Sequence, residues 1–377
     1  MKYFLVAGEA SGDLHASNVM RELLVLDPKA EFRFFGGDKM ASIGGQCVKH
    51  YREMAFMGVI AVLMNARKVL DNLSLCKKEV TDWKPDVLIL VDYASFNLKI
   101  AQYVKENIPG LPVHFYISPK IWAWKEYRIK SFKKYIDKMY VILPFETDFF
   151  AKHDFPVEYV GNPCVDSIAD YRSKPFDAAA FKAKYKLDER PVIAVLPGSR
   201  RAEIKSNLPL MLEAALKYSG FQVVVSGAPG IDTSFYAPYI PSGTRLVFEE
   251  TYNLLELAYA ALVTSGTATL ETGLIGTPQV VCYSFRGGSI PNWVFKHFMH
   301  VPYICLVNLI AGRMVVPELM GVLFNKVQLA ATLEPLLSDT PERKIMLQGY
   351  AEVQTKLGQP GAAAKTALLI NKSLTEK

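Results

Sequence analysis

The sequence predicts an α/β protein of two doubly wound domains, and three observations point there. Short apolar runs alternate with helix-like segments along the chain. Most of the runs are apolar on both faces, as in a parallel sheet covered by helices. A polar, helix-forming stretch over 166–190, punctuated by Pro175 and Pro191, divides them into two series. At 377 residues the chain is long enough for two ordinary domains with substantial cores. Half its residues are hydrophobic and 21% are charged, which excludes a disordered chain.

Strands are expected over 3–7, 31–35, 87–91, 113–117, 138–143 and 157–160, where β-branched and aromatic residues predominate. A second series is expected over 192–196, 222–226, 245–248, 261–264 and 279–283. The expected organisation is an N-terminal domain over 1–165, a linker over 166–190 and a C-terminal domain over 191–350. A helical tail over 351–377 is expected to pack back on the N-terminal domain. Doubly wound sheets bind ligands outside the carboxyl ends of their strands, and two facing domains make one shared cleft. The candidate residues are therefore those that follow strands.

The run 3–7 ends in Gly8-Glu9-Ala10-Ser11-Gly12-Asp13. Its two glycines permit a tight turn, and small Ala10 and Ser11 leave that turn open. No Gly-x-Gly-x-x-Gly is present, and two carboxylates, Glu9 and Asp13, would repel a pyrophosphate. The loop suits a reader of sugar hydroxyls, and equally a turn in which Asp13 caps a helix over 14–24. After 87–91 comes Asp92, a carboxylate past a buried strand end and hence a candidate general base, or the cap of the next helix.

In the second series, 192–196 leads to Pro197-Gly198-Ser199-Arg200-Arg201. Glycine admits an anion to the backbone, while Ser199 and the Arg200 guanidinium supply donors for phosphate oxygens. The run 261–264 opens into Ser265-Gly266-Thr267-Ala268-Thr269-Leu270-Glu271, a small-residue turn at a helix start and so an anion site. Glu271 lies four residues past Thr267 on the same helix face, placed to accept both hydroxyls of a ribose.

The Lys and Arg excess over Asp and Glu is only six, too small to imply nucleic acid. Seven basic residues against two acidic ones between Lys120 and Lys138, interleaved with aromatics, suit an anionic membrane surface, a phosphorylated substrate or a solvated helix face. Over 57–73 a helical stripe of Val59, Val62, Leu63, Ala66, Val69, Leu70 and Leu73, widened by Ile60 and Met64, is bordered by Arg67 and Lys68. Such a face packs on a core or lies in a bilayer interface. Five scattered cysteines, no signal-peptide pattern and no spanning apolar stretch lead to the expectation of a cytosolic protein. No metal is expected: His297 and His300 have ligand spacing but no neighbours to complete a site, and no Asp-x-Asp follows a strand.

Seven segments, in order, resemble the motifs of lipid-A-disaccharide synthases: 8–13, Asp92 with Phe96-Asn97, Ser118-Pro119 with Trp122-Ala123-Trp124, 143–146, 196–200, 265–271 and Asn308-Leu309-Ile310-Ala311-Gly312-Arg313. The resemblance implies two Rossmann-like domains facing a central cleft, the GT-B architecture, and an inverting, metal-independent glycosyltransferase without a cofactor. It implies transfer of a 2,3-diacylglucosamine from UDP to the 6-hydroxyl of 2,3-diacylglucosamine 1-phosphate, giving the β-1,6 disaccharide of lipid A and UDP.

On this resemblance Asp92, Arg200 and Asn308 are the catalytic candidates. Gly8, Glu9, Ser11, Gly12, Asp13 and Asn97 are placed on the acceptor side. Ser199, Arg200, Ser265, Gly266, Thr267 and Glu271 are placed on UDP. Acylated substrates imply peripheral attachment to the inner face of the inner membrane, with Ile60, Val62, Leu63, Val69 and Leu70 as acyl or membrane contacts, and a homodimer is a further expectation. Two departures stand out: Ser95 where many members carry a second aspartate, and Asn162 where a histidine is common. The alternatives are a UDP-sugar epimerase of similar architecture and a non-catalytic, membrane-docked module that binds nucleotide-sugar lipids.

Overall fold

Two parallel sheets organise the computed structural model, which describes residues 1–54, 66–124, 126–283 and 302–376. The first runs β3-β2-β1-β4-β5-β6-β7, with β1 at Lys2–Ala7, β2 at Glu31–Gly36, β3 at Gln46–His50, β4 at Val87–Val91, β5 at Val113–Tyr116, β6 at Lys138–Val141 and β7 at Glu158–Tyr159. The second runs β10-β9-β8-β11-β12-β13, with β8 at Val192–Leu196, β9 at Gln222–Gly227, β10 at Arg245–Phe248, β11 at Ala258–Thr264, β12 at Gln279–Tyr283 and β13 at Glu318–Met320.

Burial on both faces explains the continuous apolar runs. Along β1, Phe4 and Val6 enter one core with Leu88, Leu90 and Phe115, while Tyr3 and Leu5 enter another with Val87 and Ile89. The period-two alternation of a strand thus divides its side chains between two helix layers. The second layer includes Ala367 and Ile370 of the C-terminal helix Ala362–Thr375, which packs against the helix Ala10–Leu26.

The chain forms two compact units, Met1–Pro163 with Gln359–Lys377, and Cys164–Gly358. The helix-forming stretch read as a linker holds two helices, Pro163–Arg172 and Ala178–Tyr185, and the second unit takes in 166–190. The helix Pro341–Leu357 runs unbroken through residue 351, so the tail begins later than expected.

Each sheet has one point where strand order reverses, and there the carboxyl ends of two neighbouring strands diverge to open a crevice. In the first sheet it lies between β1 and β4, whose register pairs Ala7 with Val91, so the loops at Gly8 and Asp92 leave side by side. In the second it lies between β8 and β11, where Leu196 pairs with Val263 and the loops at Pro197 and Ser265 emerge together. No described helix is long and apolar enough to cross a membrane.

Candidate functional site

At the first switch point Asp92 and Tyr93 both adopt left-handed backbone conformations, with φ of 46° and 48°. Two successive such residues without glycine are strained, and strain of this kind needs surroundings that enforce it. The Asp92 amide donates to the Tyr116 carbonyl at 3.0 Å, and its carbonyl accepts from Asn97 Nδ2 at 2.7 Å. Burial pushes the Asp92 carboxyl above the usual carboxylate range, opposed by the Tyr93 N–H that donates to it and by the nearby Lys120 ammonium. A carboxylate held in that way has a higher affinity for a proton than a free one.

The neighbouring 8–13 loop divides by burial. Glu9 is half-buried and Ser11 exposed, whereas Gly8, Gly12 and Asp13 are buried. Asp13 does not read a hydroxyl. It is 2% exposed, and its two oxygens accept from the amides of Gly37 at 2.7 Å, Lys39 at 3.1 Å and Met40 at 3.1 Å. Nor does it cap its own helix, which starts at Ala10; it holds the start of the helix Asp38–Ile43. Asn97 is also fully buried, donating to the carbonyls of Val6, Val91 and Asp92, so it ties strand ends together and does not reach a substrate.

Beside this site Glu146 lies 1% exposed, accepting from Trp122 Nε1 at 3.1 Å and the Leu143 amide at 3.0 Å. Burial pushes its carboxyl up to about 7. It joins the loops after β5 and β6, a role legible in sequence only as an acid among apolar neighbours.

At the second switch point Ser199, Arg200, Ser265, Gly266, Thr267 and Glu271 line one cavity of about 470 Å³. Gly198 turns with φ of 117°, and a side chain there would meet the Glu203 carboxylate at 2.7 Å. Arg200 Nη1 donates to Glu203 Oε1 at 2.6 Å and the Ser199 amide to Oε2 at 3.1 Å. No side chain caps the helix Thr267–Ile275, whose start forms part of the cavity wall. Glu271 accepts from the Tyr252 hydroxyl at 2.6 Å, and burial raises its carboxyl. The cavity therefore has a cationic fork and a helix start for an anion, and a carboxylate for hydroxyls.

Sequence reasoning missed two of its lining residues and one buried residue that ties its wall together. Glu203, spaced i+3 from Arg200, was open to discovery by that spacing. Tyr252 follows β10 with no local signal, and buried Asn207 ties the Pro197 carbonyl (3.3 Å) to the Thr264 hydroxyl (3.0 Å).

Asn308 is not presented to a ligand. It is fully buried; Nδ2 donates to the Val316 carbonyl at 2.8 Å and Glu318 Oε1 at 2.7 Å, and Oδ1 accepts from the amides of Val315 at 2.7 Å and Val316 at 2.9 Å. An amide so saturated is a structural tie. Of the apolar stripe, Ile60, Val62 and Leu63 lie outside the described residues. Val69 is half-buried and packs with Leu73 on the core, while Leu70 is 59% exposed. His297 and His300 also lie outside the described residues.

The family model for lipid-A-disaccharide synthetase matches residues 3–371. The chain belongs to that family. It is 38% identical over 374 residues to the lipid-A-disaccharide synthase of Myxococcus xanthus (strain DK1622), covering 97% of this chain and 96% of the relative. With that of Geobacter metallireducens (strain ATCC 53774 / DSM 7210 / GS-15) the identity is 35% over 384 residues, covering 100% and 98%.

Among solved structures, UDP-GlcNAc 2-epimerase from Neisseria meningitidis bound to UDP-GlcNAc matches with a TM-score of 0.67 over the whole of both chains, at 14% identity. That likeness shows the fold, two Rossmann-like domains of the GT-B kind. Membership of the lipid-A-disaccharide synthetase family decides for a glycosyltransferase over an epimerase.

Proposed function

We propose that this chain transfers 2,3-diacylglucosamine from UDP to the 6-hydroxyl of 2,3-diacylglucosamine 1-phosphate, forming a β-1,6 disaccharide and UDP. The cavity at the second switch point supports this most directly, because Arg200, an uncapped helix start and Glu271 converge there on what a nucleoside diphosphate offers: a charged diphosphate and a ribose diol. UDP sits there, with Ser199, Ser265, Gly266 and Thr267 donating to phosphate oxygens and Glu271 accepting from the ribose. Glu9 and Ser11 bind acceptor hydroxyls.

In the reaction Asp92 takes the proton of the acceptor hydroxyl as its oxygen attacks the anomeric carbon. The bond from that carbon to the diphosphate breaks, configuration inverts, and UDP leaves with its charge spread over Arg200 and the helix start. Supplying the protein with UDP-diacylglucosamine alone and then with the acyl-sugar phosphate tests this: UDP appears only with the acceptor, and acceptor-independent UDP release refutes it.

Acylated substrates call for contact with a membrane, and the reading extends to peripheral docking on the inner face of the inner membrane. Exposed Leu70 beside exposed Arg67 and Lys68, with exposed Lys130, Lys133 and Lys134 elsewhere on the same unit, supports it. Leu70→Ser, at an exposed position, is expected to leave the melting temperature unchanged and weaken binding to anionic vesicles. Unchanged vesicle binding refutes the role of this face.

A further inference from the structure

We propose that Tyr93 is the residue that positions Asp92, and that Gly8 lacks a side chain in order to seat the Tyr93 ring. This deepens the transferase reading above and rests on it.

Four contacts fix Tyr93. An atom added as Cβ on Gly8 would stand 2.3 Å from the ring, so the ring lies directly on the backbone of the first strand-end loop. Its hydroxyl donates to the Met54 carbonyl at 3.0 Å. Its ring packs on Phe96 with centroids 5.6 Å apart. Its amide donates to the Asp92 carboxylate. These contacts come from three separate parts of the chain and meet on the second of two consecutive left-handed residues.

Left-handed backbone at a tyrosine persists only where packing enforces it. The ring wedged between Gly8 and Phe96 supplies that enforcement, and the turn so held aims the Asp92 carboxylate. Lys120 faces Asp92, Glu9 faces the Tyr93 hydroxyl, and Arg128 Nη2 reaches Ser95 Oγ at 3.2 Å, so these are the charges around the pair.

The test is a double-mutant cycle on full-length protein, with Gly8→Ala, Tyr93→Ala and their combination assayed for kcat with donor and acceptor saturating. Misaiming a catalytic group by about 1 Å costs on the order of 100-fold, and each single variant is expected to lose that much. In Tyr93→Ala the ring that the methyl added by Gly8→Ala would strike is gone, so the double variant is expected to lose no more than Tyr93→Ala alone. Removing the ring also admits water to Asp92, so the acid limb of the pH–rate profile moves to lower pH in Tyr93→Ala and is restored in Tyr93→Phe.

Losses that multiply, an unmoved acid limb, or a Gly8→Ala variant with the parent kcat each overturn the positioning role. Tyr93→Phe retains the ring and leaves no void, so together with Gly8→Ala it keeps the test decisive should Tyr93→Ala fold poorly. Asp92→Ala separates the two levels. If it is active, the transferase mechanism fails; if it is inactive while the cycle is additive, only the role of Tyr93 fails.

Discussion

Replacing Asp13 by Ala tests whether the first strand-end motif serves its ligand or its own fold. The carboxylate takes three backbone donors, of which the Gly37 and Met40 bonds are buried and the Lys39 bond is partly so. Alanine leaves two buried N–H groups without an acceptor at about 1–3 kcal/mol each, while the Lys39 amide turns to water, so the expected loss is about 3–4 kcal/mol. For a unit of this size that is a fall in Tm of about 10 °C. An asparagine side chain keeps one acceptor oxygen and sets an NH2 against an N–H, so Asp13→Asn is expected to lose about half as much. Gly37 belongs to the same arrangement, since a Cβ there would stand 2.8 Å from Asp13 Oδ2. Thermal melts beside UDP-release assays decide the matter: an Asp13→Ala protein that melts like the parent and no longer turns over would show the carboxylate to be a substrate ligand and refute the structural role.

Three further outcomes are expected. Arg200→Ala raises the Kd for UDP by roughly 10- to 100-fold, as loss of a charge-assisted donor does, and Arg200→Lys recovers only part because a lysine cannot fork; calorimetry with UDP checks both. Asp92→Asn abolishes turnover and raises Tm at neutral pH. Burial raises the Asp92 carboxyl, so its stabilising contribution is present at low pH and lost as pH rises through the folded value, a loss that asparagine avoids; an unchanged Tm would count against the buried charge. Glu146, raised by burial from 4.5 to about 7, contributes stability fully present below pH 4.5 and lost on the way to about 7, a change of about 3 kcal/mol. Denaturant titrations of Glu146→Gln should lack that slope, and a slope equal to the parent's would refute the assignment.

The central strands were legible because each is apolar on both faces and has no other way to satisfy its side chains. The strands the sequence analysis did not find are both at sheet edges. Gln46-Cys47-Val48-Lys49-His50 is polar and at most half-buried, and Glu318–Met320 is three residues long, so neither leaves the pattern that burial imposes. The cavity residues of the second unit were legible for a different reason. Small residues and a guanidinium just past a strand have a chemical meaning that does not depend on distant contacts. The backbone ties of Asp13, Asn97 and Asn308 were not legible because the main-chain groups they bond lie 24 to 27, up to 91 and up to 8 positions away, which no local pattern displays.

Those three residues share a property that separates holding from doing. Each is 2% exposed or less, and each is bonded to main-chain groups next to the end of a secondary-structure element: a helix start for Asp13, strand ends for Asn97 and the loop before β13 for Asn308. Substituting any of them would let a loop relax, so a loss of activity alone would not distinguish a structural tie from a catalytic group. By contrast Glu9, Ser11, Arg200 and Glu271 keep part of their surface open, and Arg200 and Glu271 line a cavity. Asp92 stands between the two groups: its backbone is tied by Asn97 and Tyr116, and its carboxyl is left partly open in surroundings that raise its proton affinity. The motif that sets an acid on a left-handed turn and a buried amide five residues later is therefore one device: the amide ties the turn, and the turn fixes where the acid stands.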